Sequence, residues 1–170
     1  MLSSEMRSQL QARLAEIREG RNVPDHAVCS ELAMRILKAA WRACKEKSSR
    51  LEENGKLLWQ WRNRRYHELH EKYVQEHGVA DEHLMQGWHA ELDELIGPSC
   101  VANEERVKKA LMALGEIAQK GQFLMSCLQE WEYGVDYGGV APEIYFSGKI
   151  CGLLEEIAEI AEAVCGPFEV

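Results

Sequence analysis

The chain has 170 residues, with 20 lysine and arginine residues against 28 aspartates and glutamates, so its net charge is −8 at pH 7. This acidic balance argues against nucleic acid as a partner, because phosphate contacts need a cationic surface. The six cysteines are widely spaced, no run approaches the roughly 18 apolar residues of a membrane span, and the first residues lack a signal-peptide pattern. We therefore expect one cytoplasmic domain over residues 1–170, with reduced core thiols and no membrane partner.

Apolar residues recur at helical spacing along most of the chain, and each run is bounded by a capping residue, a glycine or a proline. The pattern predicts six helices, over residues 3–19, 24–46, 50–77, 81–97, 103–131 and from 142 to about 164. Asn54 and Gly55 could interrupt the third, because glycine weakens a helix. Gly97 and Pro98 are predicted to stop the fourth helix, and Asn103 to cap the fifth. The second helix is predicted to bury an apolar face that includes Val28 and Trp41.

Short connectors separate the predicted helices. Gly78 is expected to end the third helix and Asp81 to cap the fourth. Residues 134–142 are rich in glycine, which predicts a loop before the last helix. Because no strand-like alternation occurs, the fold class is expected to be all-α: a bundle of about six helices whose short connectors favour antiparallel neighbours.

The last predicted helix has an apolar stripe on one side and glutamates on the other. At about 100° per residue, Glu155, Glu159 and Glu162 fall together, and Glu156 lies on their flank. From residue 129 onward the sequence contains nine acidic residues and one basic residue, Lys149, which together carry the whole net charge of −8. The sequence therefore predicts an acidic surface where a protein partner or a cation would bind.

The segment Glu155-Glu156-x-x-Glu159 also resembles the first half of a known motif. In MazG-like all-α nucleoside triphosphate pyrophosphohydrolases, an E-E-x-x-E helix faces a later helix that bears E-x-x-D, and these acids hold magnesium. The resemblance implies that Glu155, Glu156 and Glu159 form a magnesium site. The second motif does not occur in this chain, and the nearest substitutes are the upstream pairs at 91 and 94 and at 68 and 71.

A cluster of tryptophans and arginines marks the third predicted helix. Trp59 and Trp61 point about 200° apart, so one core face cannot bury both, and we expect one ring to meet another surface. Arg62, Arg64 and Arg65 follow with no intervening acid. Tryptophan and arginine are typical interface anchors. The alternative is that both rings pack inside the bundle and the arginines pair with the chain's own acidic helix; such charges could also pair between two copies.

Three hypotheses about function follow. The first is an accessory or inhibitor-type protein that needs no cofactor and binds another protein through the acidic helix, the tryptophan and arginine segment, or both. Phages and mobile elements encode such proteins, by analogy. The second is the magnesium-dependent pyrophosphohydrolase that the resemblance implies. The third is a homodimeric scaffold that pairs through Trp59 or Trp61.

Overall fold

The computed structural model describes residues 26–135, 138–139 and 141–167, together with positions 12 and 16. Over these residues it is all-helical, with no strand, and it contains three long helices: α1 (His26–His77), α2 (Glu82–Glu132) and α3 (Pro142–Cys165). The all-α expectation is confirmed, whereas the expectation of about six helices is wrong. The predicted first helix falls outside the described residues except at Ala12 and Glu16, which are both helical.

α1 continues through the connector that we predicted near residues 47–49. Ser48 lies inside this helix and is buried. Gly55 is helical too, and a Cβ atom there would lie 3.1 Å from Nδ2 of Asn103. Small residues in this stretch therefore let another helix approach closely. A sequence pattern typical of a connector marks a helix contact instead.

α2 likewise continues through the predicted stop at Gly97 and Pro98. A proline leaves the carbonyl four residues earlier without its helical donor, but Pro98 is exposed, so water can take that donor's place. Asn103 is not a cap. Its Nδ2 donates a hydrogen bond to the carbonyl of Leu51, with a donor–acceptor distance of 2.7 Å, and so ties α2 to α1.

The described chain divides into two compact units. The first, which we call the bundle unit, consists of the residues up to Lys47 and those from Ala110 onward, and so contains the start of α1, the end of α2 and all of α3. Its core is a single cluster of small and apolar side chains. These are Cys29, Ala33, Ile36, Ala40, Cys44, Ala113, Ile117, Leu124, Cys127, Leu128, Trp131, Phe146, Ile150, Leu154, Ile157 and Ala161.

The second unit, Ser48–Lys109, is a pair of antiparallel helical segments, which we call the hairpin unit. Its turn forms as the sequence predicts. Gly78 adopts φ 77° and its N–H donates to the carbonyl of Val74, while Asp81 Oδ1 accepts the N–H of Leu84 as a helix cap. The described chain contains no helix long and apolar enough to cross a membrane.

Candidate protein-interaction surfaces

The seam between the two helices of the hairpin unit is built around an arginine. Arg62 is buried, and its Nε donates to Asp93 Oδ1 at 2.6 Å while its Nη2 donates to His89 Nδ1 at 3.0 Å. Tyr66 stacks on His89, with 4.0 Å between ring centroids. The hydrogen bond from Arg62 holds the pKa of Asp93 below its usual value. Arg62, named from the sequence as a partner-binding residue, therefore has its head group occupied within the unit.

The other arginines and the two tryptophans of this segment lie nearer to solvent. Arg65 pairs with Glu68 at 3.0 Å, so Arg62 and Arg65 both pair within the hairpin unit and not with the C-terminal acidic helix. Arg64 is exposed. Trp59 is 52% exposed and Trp61 is 43% exposed, so neither ring is packed inside the fold. The guanidinium carbon of Arg62 lies 5.6 Å from the centroid of Trp59.

Trp61 belongs to an exposed apolar face of the hairpin unit. It directly precedes the seam residue Arg62, and Leu95 directly precedes the buried Ile96. In each helix, the residue before a seam residue points about 100° away from the seam. Because both helices are right-handed and antiparallel, these preceding residues point to the same face of the helical pair. Leu57 and Leu84 stand in the same relation to Leu58 and Met85, which are half-buried.

We call these four side chains the hairpin face. They are Leu57, Trp61, Leu84 and Leu95, and they are 52%, 43%, 40% and 65% exposed. Leu57, Trp61 and Leu95 lie at similar heights, whereas Leu84 is on the same side but 11 residues from Leu95, roughly 16 Å along α2. Apolar side chains that group on one surface mark an interaction site more often than scattered ones do. Sequence reasoning found Trp61 but missed the three leucines, because their exposure depends on where the seam lies.

Charge is divided between the two helices of the hairpin unit. Residues 54–67, on α1, contain four basic residues and no acidic one. Residues 82–105, on α2, contain six acidic residues and no basic one. On the side of the hairpin face, Arg65 precedes the seam residue Tyr66 and Glu91 precedes the buried Leu92. The hairpin face therefore has a basic edge and an acidic edge.

The acidic helix, α3, has the amphipathic arrangement that the sequence predicts. Ile150, Leu154 and Ile157 are buried, while Glu159 and Glu162 are exposed. Glu155 is half-buried.

Glu156, on the flank of the acidic side, forms an ion pair with Lys120 of α2. Among the described residues, no three histidine, cysteine, aspartate or glutamate side chains come together in a way that could hold a metal ion. Within the described residues, the three glutamates at 155, 156 and 159 therefore do not form part of a side-chain cluster that could hold a metal ion.

A groove on the bundle unit was missed by sequence reasoning. It has a volume of about 810 Å³ and is lined by Met34, Leu37, Lys38, Trp41, Arg42, Lys45, Ala118, Gly121, Gln122 and Met125. Trp41, predicted to be buried, is 41% exposed, and Val28 is 40% exposed. The prediction for both residues is wrong because the buried stripe of α1 runs through Cys29, Ala33, Ile36 and Ala40, and Val28 and Trp41 each lie one residue, about 100°, to the side of it.

Over the described residues, the fold and these surfaces define an all-helical protein with two exposed apolar sites: the hairpin face, which has a basic and an acidic edge, and the groove, which Lys38, Arg42 and Lys45 line. Searches against protein-family models, curated proteins and solved structures find no match to this chain. Its function has to be argued from its own residues.

Proposed function

We propose that this protein works as a homodimeric interaction protein and that two copies pair through the hairpin face. The observation that carries this proposal is the apolar face formed by Leu57, Trp61, Leu84 and Leu95 on a unit with a very small core of its own. A helical pair that exposes such a face is stabilised when a partner covers it. A second pair of helices would complete a four-helix arrangement.

The register of the hairpin unit supports a second copy as the partner. Two hydrogen bonds between α1 and α2 indicate the register: Arg62 with Asp93 and Leu51 with Asn103 join residues whose numbers add up to 155 and 154. The numbers of Trp61 and Leu95 add up to 156, so these residues lie within one or two residues of the same height, about 1.5–3 Å along the helices. The two largest apolar side chains near the middle of the hairpin face are therefore nearly level with each other on opposite helices.

Charge selects the orientation of the two copies. With a two-fold axis parallel to the helices, α1 of one copy faces α2 of the other, so residues at equal heights meet. Trp61 then packs on Leu95 of the second copy, and Arg65 meets Glu91 of the second copy, since their numbers add up to 156. An axis perpendicular to the helices would place α1 against α1 and bring the two basic segments together. The parallel arrangement is favoured because it pairs opposite charges.

Sedimentation velocity over a wide concentration range tests this proposal. The wild-type protein is expected to form a dimer, and Leu95→Glu is expected to raise the dimer dissociation constant about thirtyfold or more, as for a hot-spot residue of roughly 2 kcal/mol. Val101→Glu is the matched control, because Val101 is 61% exposed on the same helix but does not precede a seam residue. A wild-type protein that stays monomeric at every concentration would contradict the proposal.

A charge exchange tests the orientation. Arg65→Glu alone and Glu91→Arg alone should each weaken the dimer, and the double variant should recover most of the affinity, because the pair is restored with reversed signs. If the double variant loses as much dimerisation free energy as the two single variants lose together, Arg65 and Glu91 do not meet across the interface.

The acidic side of α3 supports a second candidate function, the binding of a basic protein partner. Glu159 and Glu162 are exposed on the part of the chain that carries the whole net charge. Binding of this kind should weaken steeply as salt rises, because exposed charges are screened. Affinity for a basic partner that is equal at low and high salt would rule out this role.

A further inference from the structure

The groove on the bundle unit lies beside the core and is lined by no described residue of α3. On α1, Met34, Leu37 and Trp41 directly follow the core residues Ala33, Ile36 and Ala40. Each therefore turns about 100° away from the core, to the same side. The groove is thus a surface of α1 and α2 that flanks the core, and of these three side chains Leu37 also packs against the core cluster.

The floor of the groove is apolar and closely packed. Gly121 of α2 is buried, and a Cβ atom there would lie 3.0 Å from Cδ1 of Leu37. The small residues Gly121 and Ala118 on one wall and the larger Trp41 on the other leave an open channel between the two helices. Met34 and Met125 also line it, and methionine side chains adapt readily to the surface of a partner.

The α1 edge of the groove is cationic. Lys38, Arg42 and Lys45 lie at intervals of four and three residues, which puts all three on one side of the helix. No carboxylate is found among the described residues that line the groove, and Gln122 stands on the α2 wall. Three cations grouped beside an apolar channel contrast with a chain whose net charge is −8.

We propose that this groove binds an amphipathic helix of another protein, with apolar residues on its inner face and acidic residues along one edge. The occupant's apolar face would lie on Leu37, Trp41 and Met125, and its carboxylates would meet the cationic edge. A helix laid in an apolar groove is a common mode of peptide recognition, with apolar anchors every three or four residues. Charge complementarity selects the acidic version among such helices.

The test uses two fluorescent helical peptides of about five turns and the full-length protein. Both peptides carry leucines at positions i, i+3, i+4 and i+7, and one has glutamates along one edge where the other has lysines. Fluorescence anisotropy should show binding of the glutamate peptide, with an affinity that falls as salt rises, and binding at least about tenfold weaker for the lysine peptide.

Variants locate the binding site. Arg42→Glu should weaken binding of the glutamate peptide by about tenfold or more, because it replaces an attraction by a repulsion at the groove edge. Lys108→Glu makes the same change of charge at an exposed position outside the groove and should leave binding unchanged apart from a small general effect. Circular dichroism and the melting temperature of Arg42→Glu should match those of the wild type, since Arg42 is exposed.

Three outcomes would overturn the proposal: neither peptide binds, both bind equally, or Arg42→Glu binds as well as the wild type. A dimer that is broken by Trp41→Glu, in a protein that binds neither peptide, would assign the groove to a second copy. The monomeric Leu95→Glu variant should bind the glutamate peptide with wild-type affinity. Failure of the groove proposal and failure of the dimer proposal therefore give different results.

Discussion

The bundle unit and the hairpin unit are made from the same two long helices, but they bury very different amounts of apolar surface. In the bundle unit, sixteen buried residues form one cluster, and α3 contributes five of them. In the hairpin unit the buried side chains are Leu51, Leu92 and Ile96, with the polar Ser48 and Arg62. Apolar burial is the main favourable term in folding, so we expect the described part of the bundle unit to contribute more to the stability of the chain than the hairpin unit does.

The largest effect that would sharpen this contrast is expected in the core of the bundle unit. Phe146→Ala should lower the free energy of unfolding by about 3–5 kcal/mol, because Phe146 is completely buried and its removal leaves a cavity. Leu92→Ala should lower the free energy of unfolding by about 2 kcal/mol, because few buried side chains surround Leu92 and they can move to fill the space. Urea denaturation measures both. Equal losses from the two variants would mean that the units are equally well packed.

A smaller effect is expected from the polar seam of the hairpin unit. The pKa of Asp93 is lowered by the hydrogen bond from Arg62, so the folded state holds this carboxylate's proton less tightly than the unfolded state does. The stabilisation is therefore present above pH 4 and falls as the pH drops through the lowered pKa. The difference in unfolding free energy between wild type and Asp93→Asn should shrink as the pH falls below 4.

For that measurement, Glu104→Gln is a suitable control, because Glu104 is an exposed carboxylate of the same helix. Its difference from wild type should change little over the same pH range. If the difference for Asp93→Asn changes with pH as little as the difference for Glu104→Gln, the ion pair between Arg62 and Asp93 does not contribute to the free energy of unfolding.

The cysteines give a third comparison between the units. Burial, together with the neighbouring Cys165 thiol, raises the pKa of Cys44 to about 12, and burial also raises the pKa of Cys127. Thiolate is the reactive form, so these bundle-unit thiols should react slowly with a thiol reagent at pH 8. Cys100, half-buried in the hairpin unit, should react sooner. Mass spectrometry of partly labelled protein identifies the order.

The raised pKa of Cys44 also predicts that the protein loses stability at alkaline pH. The folded state holds the Cys44 proton more tightly than the unfolded state, so the unfolding free energy should fall as the pH rises from about 9 towards 12. Cys44→Ala should show a weaker dependence over this range. If both proteins show the same dependence, another group controls alkaline unfolding.

The smallest effect on stability is expected in the acidic helix, whose resemblance to the pyrophosphohydrolases stays a prediction. It implies magnesium-dependent release of pyrophosphate from nucleoside triphosphates, and Glu159→Ala should abolish this release without changing the fold, because Glu159 is exposed. Glu143→Ala, at the other end of α3, should retain activity. No release with any ribo- or deoxynucleotide would remove the enzyme hypothesis.

The sequence was most informative where a local signal agreed with the tertiary contacts. Gly78 and Asp81 formed the predicted turn, Pro142 began α3, and the spacing of Ile150, Leu154 and Ile157 identified a buried stripe. Each of these features depends on a few neighbouring residues. The sequence failed at Pro98 and Asn103, where a distant helix or the solvent changes the outcome of a local signal.

What the sequence by itself determined is the helical class, the C-terminal concentration of acid and the presence of tryptophans that no single core could bury. Only the tertiary structure decided which apolar residues stay exposed, because exposure depends on the position of each seam. In the tertiary structure Arg62 is buried within the hairpin unit, and Trp61 and Leu95 lie at similar heights on opposite helices. Trp41 lies outside the core and lines a groove together with Lys38 and Arg42. Spacing along one helix cannot reveal which of its sides a neighbouring helix will cover.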